Sequence, residues 1–143
     1  MGKKRIITES GQAEIKTSNA GAVVSGKRKL INGVLHIQAT YNNTKIVLTD
    51  TDGQAVIWSS AGSLGFKGAK KGTPFAAGKV AEVVAERGQA LGLKEIDVVM
   101  NGVGAGREAA IRAVAGKGLV INKIKDATPV PFNGPKPKKP RRV

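Results

Sequence analysis

The spacing of apolar residues changes once along this chain, and that change constrains the fold more than any other feature. Between residues 30 and 60, apolar and polar residues alternate, which is typical of half-buried β-strands. The alternation is interrupted at Asn42-Asn43 and at Asp52-Gly53, and both pairs favour tight turns. From Thr73 onward apolar residues recur at helical spacing, with Thr73 as a predicted N-cap and Pro74 at the first helical position. We therefore expect an antiparallel three-stranded meander followed by helices.

The rest of the chain continues this pattern as an alternation of helices and strands. The predicted strands cover residues 30–41, 44–49, 54–60, 95–101 and 119–124, and the predicted helices cover 73–92 and 107–115. Glycine-rich loops at 61–72 and 102–106 precede the two helices. The order β-β-β-α-β-α-β predicts an α/β fold, a ribonuclease-H-like mixed five-stranded sheet with helices packed on it. The predicted core consists of Ile37, Val47, Ile57, Val80, Val84, Val98, Ile111, Val114 and Ile121.

Charge is distributed unevenly, and its distribution predicts the domain organisation. The chain has 24 Lys and Arg against 10 Asp and Glu, a formal net charge of +14. Residues 1–29 hold seven basic and two acidic groups, residues 30–128 hold twelve and eight, and residues 129–143 hold five and none. This predicts a flexible basic extension over 1–29, an α/β domain over 30–128 and an extended basic tail over 129–143. Basic arms on a compact domain are typical of nucleic-acid binding.

The residues do not favour an enzyme, a metal site or a nucleotide cofactor. A ribonuclease-H-like nuclease needs clustered carboxylates to hold two metal ions, yet residues 30–49 contain no Asp or Glu, and Asp50 and Asp52 belong to a turn. The chain has no cysteine, and its one histidine, His36, lies on the polar side of the first predicted strand. One near match to a phosphate-binding loop is Gly21-x4-Gly26-Lys27, but Arg28 follows it where such a loop needs Ser or Thr. One near match to a dinucleotide-binding loop is Gly102-x-Gly104-x-Gly106, but its third glycine lies one position too early in the sequence. A metal-dependent nuclease and a free basic protein on DNA or anionic membrane remain the alternatives to an RNA-binding protein.

The two glycine-rich loops are better explained as docks for a phosphate backbone. Lys67, Lys70 and Lys71 precede the N-terminus of the first helix, and Arg107 opens the second helix. Helix N-termini favour anions because their backbone N–H groups are free and the helix dipole is positive there. With only five aromatic residues, the chain is expected to recognise RNA shape and phosphates rather than stack many bases.

Four blocks of sequence, in order, resemble a known family. They are HIQATYNNT (36–44), GFKGAKKGTPFAA (65–77), GVGAGRE (102–108) and DATPVPFNGPKPKKPRRV (126–143), and they resemble the signature blocks of bacterial-type small-subunit ribosomal protein eleven. The resemblance covers residues 27–143 and implies a ribonuclease-H-like fold used without catalysis or cofactor. It also implies a structural protein of the small-subunit platform, near the exit-site tRNA and the mRNA exit, that supports subunit assembly and translation.

The same resemblance implies partners, a location and contact residues. The partners would be small-subunit ribosomal RNA, ribosomal proteins seven and eighteen, and twenty-one where present, with mRNA close by. The location would be the cytoplasmic ribosome, with an organellar ribosome left open. Val103, Phe132 and Pro135 stand where the family usually has Pro, His and Cys. The implied RNA contacts are Asn42, Asn43, Thr44, Lys67, Lys70, Lys71, Arg107, Arg112, Asn133, Lys136, Lys138, Lys139, Arg141 and Arg142.

Overall fold

The computed structural model describes residues 29–139, and within them it confirms the predicted order of elements. Residues 1–28 and 140–143 lie outside this range, and with them the predicted extension up to residue 28, the Gly21–Lys27 motif, Arg141 and Arg142. The strands are β1 (Asn32–Ala39), β2 (Thr44–Thr49), β3 (Ala55–Ser60), β4 (Glu95–Asn101) and β5 (Val120–Asp126). The helices are α1 (Pro74–Ala90) and α2 (Gly106–Gly116), and a short 3₁₀ helix covers Gly68–Gly72 inside the first glycine-rich loop.

The five strands form one mixed sheet in the order β3-β2-β1-β4-β5. The first three strands are antiparallel neighbours, whereas β4 pairs parallel with β1 and β5 pairs parallel with β4. Each parallel pairing needs a crossover connection, and α1 and α2 provide the two crossovers. The predicted ribonuclease-H-like mixed sheet is confirmed.

Both helices contribute to one core on a single face of the sheet. α1 packs on β2 and β3, α2 packs on β1, and the two helices pack on each other. On β1 the alternation predicted from sequence is confirmed, because Leu35 and Ile37 are buried while His36 and Gln38 are exposed. The opposite face of the sheet has no helix on it within residues 29–139.

One predicted core residue lies on the wrong face. Val47 was expected in the core, but the structure buries its neighbours Ile46 and Leu48 completely and leaves Val47 half-buried on the open face. The register explains the difference: Val47 pairs with the exposed His36, and Ile46 pairs with the buried Ile37. Because side chains alternate along a strand, only one of the two sets can face the helices.

Helix α1 begins where the sequence predicts. The Thr73 hydroxyl accepts a hydrogen bond from the backbone N–H of Ala76 at 3.3 Å, and Pro74 occupies the first turn, where its missing N–H costs nothing. Within residues 29–139, neither α-helix combines the length and the apolar content needed to cross a membrane.

Candidate nucleic-acid interface

The sheet topology brings four connections to one end of the molecule. The parallel strands β1, β4 and β5 all end there, so the turn after β1, the loop after β4 and the segment after β5 meet at this end. The start of β2 pairs with the end of β3, which places the loop before α1 at the same end. We call this end the basic edge, formed by residues 40–43, 61–73, 102–107 and 126–128.

At the centre of the basic edge lies the tight turn between β1 and β2. Its ends are tied together by the Thr40 N–H, which donates to the Asn43 carbonyl at 2.9 Å, and by the Asn43 N–H, which donates to the Thr40 hydroxyl at 3.1 Å. Tyr41 and Asn42 at the tip are exposed, and Tyr41 shows 79% of its surface. The turn predicted at Asn42-Asn43 therefore presents an amide and a phenol to the exterior.

Glycines of both loops allow other backbone segments to lie against this turn. A Cβ added to Gly72 would lie 2.2 Å from the Tyr41 carbonyl oxygen, and one added to Gly104 would lie 2.3 Å from that of Thr40. The Gly104 N–H donates to the Ala39 carbonyl at 2.9 Å. The glycines are required here because any side chain would push these segments apart. They hold the entrances of both helices against one turn.

Three lysines precede α1 and remain available to an external anion. Lys67 and Lys70 are exposed and Lys71 is half-buried, and none of the three forms one of the ion pairs found among residues 29–139. The 3₁₀ helix at Gly68–Gly72 places two of these lysines in one short turn. A concentration of unpaired positive charge on a compact segment is the kind of surface that attracts phosphates.

Aromatic packing anchors the segment that carries these lysines. Phe66 is partly buried against the core and meets Phe75 of α1 edge-to-face, with ring centroids 6.1 Å apart. Lys79 lies over the Phe75 ring at 5.8 Å, which is within cation–π distance. The lysine segment is thereby attached to the helix that follows it.

Arg107 was predicted to bind phosphate, and in the structure its side chain hydrogen-bonds to other groups of the chain. Its guanidinium donates to the Gly102 carbonyl, to Asp126 and, at 3.3 Å, to the Thr128 hydroxyl. The Thr128 hydroxyl also accepts from the Gly102 N–H at 3.2 Å and donates to Asp126 at 2.7 Å. These contacts, which we call the Arg107 lock, join the loop after β4 to the first residues of the tail. They fix the direction in which the tail leaves the domain.

The carboxylate in this lock has a shifted pKa. The Thr128 hydroxyl and the Arg107 guanidinium hydrogen-bond to Asp126 and, with the Thr128 backbone N–H, lower its pKa from 3.8 to about 2. A lowered folded-state pKa contributes stability that is present above the unfolded value and is lost as the pH falls through the folded value. The lock is therefore intact at neutral pH and opens between about pH 4 and pH 2.

We expect Asp126→Asn to remove this acid sensitivity of the tail. The amide cannot carry the charge that Arg107 binds, so amide hydrogen exchange of Gly102 and Thr128, whose N–H groups hydrogen-bond within the lock, should be faster at pH 7 in the variant and should change little on acidification to pH 3. In the wild-type chain the same exchange should be slow at pH 7 and should accelerate on acidification, after correction for intrinsic exchange rates. Asp52→Asn, which changes a turn carboxylate far from the lock, is the control. Equal protection in Asp126→Asn and wild type would contradict the lock.

Beyond the lock, the tail follows an open path. Residues 127–139 contain no helix or strand, as predicted for the Pro-rich segment, and nearly all of their side chains are exposed. Phe132 shows 96% of its surface, and Asn133 adopts a left-handed backbone with φ of 50°. An exposed segment with this many prolines and lysines buries little against its own domain, which leaves its backbone and cations free for a partner.

The other predicted contact residues differ in how exposed their side chains are. Asn42 and the tail residues Asn133, Lys136, Lys138 and Lys139 are exposed. Arg112 is also exposed, but it lies more than a turn inside α2 and pairs with Glu108 at 3.5 Å. Thr44 is completely buried, and a Cβ added to Gly106 would lie 2.6 Å from its hydroxyl oxygen. Its contact with RNA stays a prediction.

Sequence reasoning missed the residues that hold the basic edge together. Asp126 and Thr128 complete the Arg107 lock, and their spacing carries a local signal, because an Asp side chain that caps the backbone two residues later forms a common turn. Tyr41 and Phe75 are large, exposed and close to the lysine segment, a position that the low aromatic content of the chain does not indicate.

The two turn carboxylates serve local structure. Asp50 accepts from the Thr51 N–H at 2.7 Å, and its carbonyl accepts from the Gly53 N–H at 3.0 Å. Within the described range, no group of three or more His, Asp or Glu side chains is placed to hold a metal ion. Asp50 and Asp52 also lie at the end of the sheet opposite the basic edge.

Comparison with known proteins agrees with this geometry. The sequence model of the family described as ribosomal protein S11 matches residues 33–142. The small ribosomal subunit protein uS11 of Rippkaea orientalis is 55% identical over 117 residues, which cover 82% of this chain and 90% of that protein. The uS11 protein of Thermotoga maritima is 52% identical over 122 residues, covering 83% and 94%, and that of Acaryochloris marina is 55% identical over 117 residues, covering 82% and 90%. The matched region includes β1 from Gly33 onward, the other four strands, both helices and the basic edge, and the chain belongs to the ribosomal protein S11 family.

Proposed function

We propose that this chain binds small-subunit ribosomal RNA with its basic edge and its tail. Family membership makes it a structural component of the small ribosomal subunit, located in the ribosome in the cytoplasm, and not an enzyme. The finer part of the proposal is the surface that touches RNA and the position in the subunit.

A single observation carries the proposal: the unpaired lysines, the exposed turn and the root of the tail share one end of the sheet. Lys67, Lys70 and Lys71 form no ion pair within the described residues, and they lie beside glycine backbone that an RNA strand can approach closely. RNA helices expose phosphates and 2′-hydroxyls in a wide minor groove, so cations beside amide and hydroxyl groups suit them.

Each part of the surface has its own role in this proposal. The lysines neutralise phosphates, Asn42 contacts sugar and phosphate, and Arg107 positions the tail through the lock. The tail lies between RNA helices, where its prolines keep it extended and its cations offset the phosphate charge. The proposed RNA contacts are Asn42, Asn43, Lys67, Lys70, Lys71, Arg112, Asn133, Lys136, Lys138, Lys139, Arg141 and Arg142.

The resemblance noted in the sequence supports a position on the platform. There the chain would lie near the exit-site tRNA and the mRNA exit and would contact ribosomal proteins seven and eighteen, and twenty-one where present. Through these contacts it would support subunit assembly and translation.

Deleting residues 129–143 tests the role of the tail. The deletion removes five basic groups and no acidic one. Each lost phosphate contact reduces the slope of log affinity against log salt by about 0.7–0.9, so we expect the slope to fall by roughly 3.5 to 4.5 units if all five groups contact phosphates. Filter binding to a full-length small-subunit RNA transcript between 50 and 300 mM salt measures it, and sedimentation shows whether each form travels with the small subunit. A full-length chain that binds independently of salt, or that does not sediment with the subunit, would contradict the proposal.

A further inference from the structure

The face of the sheet opposite the helices carries a surface that the basic edge does not explain. Register places one residue from each strand in a row across this face: Trp58, Val47, His36, Val99 and Lys125. Val47 and Val99 are half-buried, and Trp58 exposes 42% of its surface. No helix or strand in residues 29–139 covers the row.

Two depressions on this face form one trough. The larger, of about 390 Å³, has the half-buried Val47 and Val99 among its lining residues, together with the amides of Gln38 and Asn101. The smaller, of about 160 Å³, is lined by Gln38, Lys45 and two residues of the β1–β2 turn. Because Gln38 and Lys45 line both depressions, the trough runs from the middle of the open face to the basic edge.

Beside the trough lies a buried polar atom that has no hydrogen-bond partner among residues 29–139. The side-chain oxygen of Asn43 is buried and accepts no hydrogen bond from any described residue. Asn43 lines the smaller depression, next to Lys45. A buried acceptor left unpaired costs free energy, so a donor from a bound partner is favourable at this position.

Charge on the open face increases toward the basic edge. Lys123 lies opposite Asp97 in the register, so a carboxylate is its neighbour, whereas Lys45 lies opposite Ser60 and Lys125 opposite Val99. Lys45 and Lys125 are exposed and form no ion pair within the described residues. The trough therefore joins an apolar surface, two amides and a cation, with no carboxylate among the residues that line it.

We propose that this trough binds one or two unpaired nucleotides of RNA, an inference that rests on the proposed RNA-binding function. A base packs on Val47 and Val99, the amides of Gln38 and Asn101 hydrogen-bond to its edge, and Lys45 contacts the adjoining phosphate. Unpaired bases present their edges to such amides, whereas a duplex hides them. The positive charge favours a polyanion such as RNA. The larger depression, of about 390 Å³, is of the size of one nucleotide and not of an RNA helix.

Two variants of the full-length chain separate the predicted contacts. Gln38→Ala combined with Asn101→Ala removes the amides without changing charge, and we expect about tenfold weaker binding to a full-length small-subunit RNA transcript with an unchanged salt slope. Lys45→Ala should weaken binding and reduce the slope of log affinity against log salt by about 0.7–0.9, the contribution of one phosphate contact. All of these side chains are exposed, and thermal unfolding of each variant verifies that the fold is retained. Gln89→Ala combined with Asn122→Ala, which removes two exposed amides outside the trough, is the matched control.

A second measurement needs no substitution in the protein. Transcripts containing 4-thiouridine are crosslinked to the wild-type chain, and the crosslinked peptides are identified by mass spectrometry. We expect crosslinks within β1, β2 and β4 from unpaired uridines.

Amide variants that bind as tightly as wild type, together with crosslinks confined to the lysine segment and the tail, would overturn the trough proposal and leave the proposed function standing. Protection of β1 and β2 from hydrogen exchange in the assembled subunit but not in the complex with RNA alone would identify a protein as the occupant and would also overturn it. Weak, salt-independent binding by the wild-type chain would instead contradict the proposed function itself.

Discussion

Replacing Gly102 by Ala is expected to destabilise the domain by about 3 kcal/mol, counting about 1–2 for the left-handed backbone and about 1–3 for overpacking. Gly102 has φ of 99°, and a Cβ at this position would lie 2.1 Å from the Ala39 carbonyl oxygen, so both costs apply. The backbone would have to move away from β1, and it would carry with it the Gly102 carbonyl that Arg107 binds. Chemical denaturation followed by circular dichroism measures the change.

A matched glycine separates the two costs. Gly118 has a similar left-handed φ of 81°, but a Cβ there meets no atom within 4 Å. Gly118→Ala should therefore cost only about 1–2 kcal/mol, the backbone part alone. If both variants lost the same stability, the close approach of the β4–α2 loop to β1 would not matter, and the structural basis of the basic edge would be wrong.

The second large effect concerns RNA affinity. Changing Lys67, Lys70 and Lys71 together to Ala should weaken binding to small-subunit RNA about 100-fold at 0.1 M salt, because each lost phosphate contact removes about 0.7–0.9 from the salt slope. The substitutions should leave folding intact, since none of these side chains is buried in the core. Filter binding at several salt concentrations measures both the affinity and the slope.

The control removes the same charge from the other end of the molecule. Arg87, Lys94 and Lys117 lie at the C-terminus of α1, before β4 and after α2, opposite the basic edge. Changing these three to Ala lowers the net charge as much as the lysine triple variant does. If total charge alone determined RNA affinity, both triple variants would lose the same affinity. We expect a loss of less than fivefold, because charges more than a Debye length from the RNA are largely screened. Equal losses in both triple variants would show that the RNA has no preferred side.

Much of the fold was predictable because its signals are local. Alternation along β1, the Asp52-Gly53 turn and the Thr73-Pro74 helix start depend on neighbouring residues, and the structure contains each of them. The order of strands and helices followed from the same spacing of apolar residues, and the family resemblance implied the same fold. What these signals share is that a few adjacent residues determine the backbone conformation.

The errors arose where the outcome depends on distant residues. In the run Ile46-Val47-Leu48 three apolar residues are adjacent, so alternation alone leaves open which ones face the helices, and the pairing with β1 decides. The internal contacts of Arg107 and the burial of Thr44 could not be predicted from their loops either, because Asp126 lies 19 residues beyond Arg107 and Gly106 of α2 lies close to Thr44. The open face was not predicted either, because the sequence does not reveal that both helices pack on the same side of the sheet.

The most direct test of which side faces RNA uses tethered cleavage. The chain has no cysteine, so Ala69→Cys in the lysine segment and Ala115→Cys at the C-terminal end of α2 each create one attachment site for an iron chelate. Both positions are exposed alanines, and hydroxyl radicals from the chelate cut only nearby RNA. With the labelled chains bound to small-subunit RNA, we predict strong cleavage at a few clustered nucleotides from position 69 and weak or no cleavage from position 115. Equal cleavage from both positions, or stronger cleavage from position 115, would contradict the proposal that the basic edge is the RNA-binding side of this protein.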